Sequence, residues 1–240
     1  MRKSMGVPQE DDLQRPKKLV VFGLGNYPKL ISYYIETTTA WDIVCYTVDA
    51  AYISDATFEG RDVVAFEDIT ALYPPDEYEM LIAVGYRDMG NARKAVYERV
   101  VEKGYRLPNY IHPSAVCNAS SLGVGNIVLE NASIGPFSVI GNCNLIWNGV
   151  QLGHNATLGS FCTLCMGSVY GGTVKIGDNC FFGLNSTVIN RVDIAPYTML
   201  GAHSYLTRST EECEALLSDL SAKRHRTRNS FEMMDHWMSR

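Results

Sequence analysis

The sequence predicts an α/β amino-terminal domain followed by an all-β prism, a parallel β-helix whose three sides are built from hexapeptide repeats. Three observations carry this expectation. From Val116 to Leu206 an aliphatic or aromatic residue returns every six positions without a break. Four positions after each one stands a small or modest residue, as at Ala132, Ser138, Ala156 and Cys162. Ahead of the repeat, short apolar runs suited to strands alternate with helical patterns between Lys18 and Lys103.

The opening residues 1–17 are polar, without the hydrophobic stretch of a signal peptide, so a disordered or extended terminus is expected there. Residues 18–107 form the α/β unit. Leu19-Val20-Val21-Phe22 reads as a buried strand, and Gly23-Leu24-Gly25-Asn26 as a tight turn into a helix from about Pro28 to Glu36. A second strand covers Asp42 to Thr47 and ends at Asp49, and a third covers Met80 to Val84, closed by Gly85-Tyr86. Met89 to Lys103 is an amphipathic helix carrying Val96, Val100 and Val101, and Leu107-Pro108 ends the unit. Alternating strands and helices imply a parallel sheet, whose ligands sit at the carboxyl ends of strands. Gly23-Leu24-Gly25 is part of a phosphate-binding fingerprint that lacks its third glycine. Either these glycines serve the turn alone, or their amides and Asp49 hold a nucleotide and its sugar.

Residues 108–206 are the prism. The periodic series is Val116, Leu122, Val128, Ile134, Ile140, Ile146, Leu152, Leu158, Leu164, Tyr170, Ile176, Phe182, Val188, Ile194, Leu200 and Leu206. In a chain that is 46% apolar, such a run has a chance of about one in a few hundred thousand. Neither the helix nor the strand gives a period of six. Three hexads close one triangular coil, large residue inward and small residue at the corner, and five coils make a prism about 24 Å long. Nine of the hexads follow the large residue with glycine, as in Ile140-Gly141 and Leu158-Gly159, which suits a corner with unusual backbone angles. The period does not set the hand of the coil, and the usual crossover rule favours a right-handed one.

Residues 207–240 form the tail. Glu211 to Leu220 reads as a short helix capped by Ser209 and Thr210. Lys223-Arg224-His225-Arg226-Thr227-Arg228 places four cations in six residues, either a solvated run or a contact for phosphates.

The net charge of -5 gives no reason to expect nucleic acid as a partner. No apolar run approaches the ~20 residues of a membrane span. Seven cysteines, with Cys162 and Cys180 in the small slot of the repeat, argue for reduced thiols in a cytoplasmic protein. Cys162-x-x-Cys165 has the spacing of a redox or metal pair, but the repeat points its members apart. His112, His154 and His203 lie at different levels of the prism, so no metal site is expected.

A short domain followed by Ile111-His112-Pro113-Ser114-Ala115 and hexapeptides resembles the bacterial sugar acyltransferases of the sialic-acid O-acetyltransferase type. It looks closest to the branch that N-acetylates nucleotide-linked amino sugars. The segments carrying the likeness are residues 146–154, residues 171–177 and Ser221-Ala222-Lys223-Arg224. The resemblance implies a Rossmann-like amino-terminal domain, a left-handed β-helix, a homotrimer with sites between subunits, and acetyl-CoA as donor. It also implies that His154 is the catalytic base. The nucleotide-sugar would be held by Gly23, Gly25, Asn26, Tyr27, Asp49, Gly85, Tyr86, Trp147 and Asn148. Acetyl-CoA would be held by Thr163, Gly171, Gly172, Gly201, Ala202, Lys223 and Arg224. The chain departs from the pattern beside His154, where Gly153 and Asn155 stand in place of an acidic neighbour, and Asn155 becomes the candidate for orienting the imidazole.

The residues themselves also single out His154. It follows the inward Leu152 by two places, so it should point outward, and an imidazole is suited to accept a proton at neutral pH. The residue one coil on is Gly172, flanked by Gly171, leaving room for a pantetheine arm and amides for an oxyanion. The bland alternative is a surface histidine without chemistry. Phe137, Trp147, Phe161 and Phe181 are expected on outer faces, an aromatic surface that packing of three prisms would bury. The expected function is acetyl-CoA-dependent N-acetylation of a nucleotide-linked amino sugar for surface-polysaccharide synthesis. The alternatives are O-acetylation of a sugar, and a non-catalytic nucleotide-binding scaffold.

Overall fold

The computed structural model describes residues 16–218 and 226–229. The expectations for residues 1–15, for residues 219–225 with Lys223 and Arg224 among them, and for the end of the tail from residue 230 lie outside the described residues.

The amino-terminal domain runs β1 (Lys17–Phe22), α1 (Asn26–Thr38), β2 (Trp41–Val48), β3 (Thr57–Phe58), β4 (Arg61–Ala65), α2 (Ile69–Leu72), β5 (Glu79–Ile82) and α3 (Asn91–Glu102). Its strand order is β3-β4-β2-β1-β5. β1 lies parallel to β2 and β5, β2 parallel to β4, and β3 pairs antiparallel at the edge, so the sheet is mixed. The β3–β4 hairpin carries Glu59, Arg61 and Asp62, charges that hide an edge strand from an apolar pattern. β1 is buried on both faces because its alternate residues meet different helices. Leu19 and Val21 join Ile31 and Ile35 of α1, whereas Val20 and Phe22 join Val96 and Val100 of α3.

The prism has three parallel sheets. The first face starts at Tyr110–Ile111 and continues through Leu145–Ile146 and Thr163–Leu164 to Met199–Leu200. The second contains Gln151–Leu152 and Val169–Tyr170, and the third Thr157–Leu158 and Lys175–Ile176. Leu152 faces Tyr170 and Leu158 faces Ile176, the eighteen-residue coil expected from three hexads. Ile134, Ile140, Ile146, Leu152, Leu158 and Leu164 are all buried in one continuous core.

The start and end of the repeat differ from expectation. Val116 pairs with Ser133, an outward residue, and is 53% exposed. Cys117 takes the inward slot opposite Ile134, because that coil has seventeen residues instead of eighteen. Beyond Leu206 the described part of the expected helix, residues 211–218, holds a strand instead, Glu214–Leu217, parallel to Met199–Leu200, with Arg226–Asn229 antiparallel to it. Ala215 and Leu216 cover the last coil, and the Leu216 carbonyl accepts from Gly201 N at 2.8 Å. The open end of a parallel sheet needs that hydrogen bonding more than an isolated turn of helix does.

The repeat's glycines also act differently. None of the nine that follow an inward residue has positive φ. Positive φ recurs two positions later, at Asn131, Phe137, Cys143, Gly149, Asn155 and onward to His203. The nine glycines permit close stacking instead: a Cβ on Gly141 would lie 2.6 Å from Gly159 O, one coil away.

The amino-terminal domain covers the first face. Ile127 and Leu145 share a core with Leu19 and Ile31, and Phe161 packs at 5.4 Å from the Tyr97 ring. Phe181 lies 5.1 Å from the Tyr86 ring. Phe161 and Phe181 are therefore 7% and 3% exposed, buried by the chain's own domain, and only Phe137 of the expected outer phenylalanines is open, at 69%. α1 runs along the prism axis, with Tyr27 against Trp147 and Tyr34 against His112. Seven helical residues rise about 10.5 Å and two coils about 9.6 Å, so helix and prism stay in step. No helix among the described residues is long and apolar enough to cross a membrane.

Candidate active site

His154 stands on the corner between the second and third faces, in the turn from Gln151–Leu152 to Thr157–Leu158. The next coil fixes its backbone, since Thr173 N donates to His154 O at 2.8 Å. Asn155 takes the left-handed corner conformation, φ 56°, which asparagine tolerates better than most residues. Its Oδ1 lies 2.8 Å from His154 Nδ1. An amide oxygen only accepts, so Nδ1 carries the proton and the Nε2 lone pair is left free. The ring lies over Gly172, where a Cβ would come within 2.6 Å of Nε2. The space expected for a pantetheine arm is thus filled by the imidazole itself. Beside the exposed ring opens a cleft of about 470 Å³, lined by Gln151, Gly135, Pro136 and Phe137 among others.

A second group gathers where the carboxyl ends of β1 and β5 meet the prism. Gly23 has φ 135° and comes so close to the neighbouring strand end that a Cβ would lie 2.6 Å from Ala83 O. Gly25 leads into α1, whose amino terminus with Asn26 has no side-chain cap. Tyr27 packs on Trp147, ring centres 5.7 Å apart, and burial pushes its phenol up while Arg93 pulls it down. Tyr86 rests on Phe181. Gly85 O accepts from Arg93 Nη1 at 2.6 Å.

Other expected site residues are committed elsewhere. The Asp49 carboxylate, just past the end of β2, is paired through both oxygens with Arg99 of α3. Thr163 is 2% exposed, 3.4 Å from Arg93 Nη2 and beneath the amino-terminal domain. Gly201 is covered by Leu216 and Leu217, and Ala202 O accepts from Ser218 Oγ at 2.7 Å. Gly171 shares the His154 corner, whereas Asn148 is exposed beside Trp147 on the corner between the first and second faces. Trp147 and His154 therefore lie at opposite edges of the second face, and one chain does not unite them.

Sequence reasoning missed Arg93. It lies three residues before Val96 and seven before Val100, on the buried face of α3, so its helical phase was the available signal. The cysteine pair diverges: Cys162 is sealed in a prism corner, while Cys165 packs against Met89 and Phe181. Among the described residues no three His, Cys, Asp or Glu side chains converge in a way that would hold a metal ion.

Residues 173–194 match a family described as the hexapeptide repeat of succinyl-transferase. Solved structures share the fold along most of the chain. The acetyltransferase domain of PglB from Neisseria gonorrhoeae, in complex with acetyl coenzyme A, superposes with TM-score 0.77 at 18% identity, covering 89% of this chain and 100% of that one. PerB from Caulobacter crescentus, in complex with CoA and GDP-perosamine, gives TM-score 0.72 at 23% identity, covering 88% and 97%. WeeI from Acinetobacter baumannii gives 0.55 at 13% identity, covering 89% and 100%.

Proposed function

We propose that this chain is an acetyl-CoA-dependent acetyltransferase acting on the amine of a nucleotide-linked amino sugar. The observation that carries the reading is the exposed His154 imidazole, which lines an open cleft with its Nδ1 held by Asn155 and its Nε2 lone pair unused over Gly172. Nε2 would take a proton from the amine as the amine nitrogen attacks the thioester carbonyl. Collapse of the tetrahedral intermediate would break the carbon–sulfur bond and release the CoA thiolate, which the imidazolium can reprotonate. Gly171 N already donates to Val188 O at 2.9 Å, so an oxyanion donor from this pair falls to Gly172.

The nucleotide would lie at the ends of β1 and β5, with its phosphates toward the uncapped start of α1 and Gly25. A neighbouring prism would bring its Trp147 corner to this His154 corner, completing a site between subunits of a homotrimer. Lys223 and Arg224 would add charge for the donor's phosphates. The reading includes a left-handed coil, a Rossmann-like nucleotide-binding role for residues 18–107, kinship with the sialic-acid O-acetyltransferase type, and surface-polysaccharide synthesis in the cytoplasm. Two fold relatives bound to acetyl coenzyme A, or to CoA and GDP-perosamine, support the choice of ligands. No metal enters this mechanism.

A panel of nucleotide-linked amino sugars incubated with acetyl-CoA and assayed for free thiol tests the proposal. Thiol release with an alkali-stable product is expected. An alkali-labile product would assign O-acetylation to the same base, and no release across the panel would leave a non-catalytic scaffold.

A further inference from the structure

Arg93 of α3 is 1% exposed, and all of its donor groups are used. Nη1 donates to Gly85 O at 2.6 Å and Val84 O at 3.3 Å, both at the carboxyl end of β5. Nε donates to Cys143 O at 2.8 Å, and Nη2 to Phe161 O at 2.7 Å and Cys162 O at 3.1 Å, on two successive coils. A planar fork that joins two domains through main-chain carbonyls fixes distance and orientation together, which a flexible ammonium does not. Burial lowers the guanidinium's pKa, and the nearby Tyr27 phenol opposes that shift.

The segment this fork holds is unusual. Asp88, Met89 and Gly90 follow one another with φ of 53°, 50° and 83°. Two consecutive non-glycine residues in the left-handed region persist only where their surroundings impose it. The prism imposes it here. Asn179 Nδ2 donates to Met89 O at 3.0 Å and lies 3.3 Å from Asn91 Oδ1, which also accepts from Tyr197 Oη at 3.1 Å. Gly90 comes so close to the prism that a Cβ would lie 2.5 Å from Phe161 O.

We propose that Arg93 is a positioning residue that sets the nucleotide crevice: from the prism side it holds the Gly85–Gly90 segment in the shape a nucleotide-linked substrate requires. The inference rests on the reading of this crevice as the nucleotide site. Arg93→Lys keeps the charge and loses the fork. Its effect is to loosen the crevice while leaving the donor's access to His154 intact.

The experiment compares full-length wild type, Arg93→Lys and Asn179→Gly. Hydrogen exchange at amides 85–91, nucleoside diphosphate binding by calorimetry, and KM for both substrates are measured, with thermal unfolding alongside. Arg93→Lys is expected to speed exchange at 85–91 at least tenfold without affecting β1, and to weaken nucleoside diphosphate binding at least tenfold. The acetyl-CoA KM should stay within twofold. Asn179→Gly, which removes the clamp on Met89 without straining a corner at φ 58°, should shift exchange and binding the same way by a smaller factor, and it decides the matter if Arg93→Lys fails to fold. A lower melting temperature with exchange at 85–91 and binding within twofold of wild type would overturn the proposal. Wild type that binds no nucleoside diphosphate would refute the crevice as a nucleotide site and with it the substrate part of the proposal, while the exchange result would still decide whether Arg93 holds the segment.

Discussion

Gly172 decides where the His154 imidazole can lie, because any Cβ there would meet Nε2 at 2.6 Å. Gly172→Ala should therefore displace the ring and lower turnover at least about tenfold. The ring end is exposed, so circular dichroism and the melting temperature should change little. Asn155 can be tested without backbone strain by Asn155→Gly, since its φ is 56°. That change should lower turnover by less than loss of His154 does, because the imidazole survives without its Nδ1 partner. His154 itself was legible from its place two residues after an inward leucine. Asn155 was legible as the neighbour filling a missing acidic position. The claim of Gly172's space by the imidazole was not, because register gives the neighbour and not which side chain leans over it.

Among the elements, the coils separate two reasons for a small residue that the sequence pattern merged. Glycines after inward residues are required by the backbone of the next coil, whereas the left-handed corners accept Asn, Cys, Phe and Arg. Gly141→Ala should thus lower stability by at least about 1 kcal/mol in chemical denaturation. Asn185→Gly, at φ 52°, should leave stability within about 1 kcal/mol of wild type. The terminal strand is held by the Arg208–Glu214 pair. Hydrogen bonding from Arg208 lowers the Glu214 carboxyl from its ordinary 4.5. A depressed folded value stabilises the protein above the unfolded value and is lost as pH falls through the folded one. Wild type should therefore exceed Glu214→Gln in stability at neutral pH, with the gap closing as pH drops below about 4.5. This strand escaped the sequence reading because Glu211 to Leu220 has helical composition and only the exposed end of the last coil selects a strand. The β3–β4 hairpin was hidden for the opposite reason, charge on an edge that no layer covers.

On the scale of the whole molecule, the repeat revealed the prism but not which face the amino-terminal domain would cover. Phe161 and Phe181 belong to that covered face. Left open for a second copy, among the described residues of the prism, are Val116, Phe137, Val139, Val169 and Tyr205 on the second and third faces or the corner between them, Met166 and Leu184 on the Trp147 corner, and Val124 on the third corner, all at least 40% exposed. Light scattering should give a homotrimer of about 80 kDa from 26.7 kDa chains. A concentration-independent monomer would remove the neighbour that the divided site needs.

The most direct test of the account is the rate of thiol release by wild type and His154→Asn at saturating acetyl-CoA and nucleotide-linked amino sugar. The side chain is exposed and points away from Leu152 and Leu158, so fold, assembly and acetyl-CoA binding should persist. Loss of a general base is worth ~10²–10⁴ in rate, and turnover should fall by at least about a hundredfold. A folded His154→Asn protein that turns over within threefold of wild type would contradict the assignment of His154 as the base.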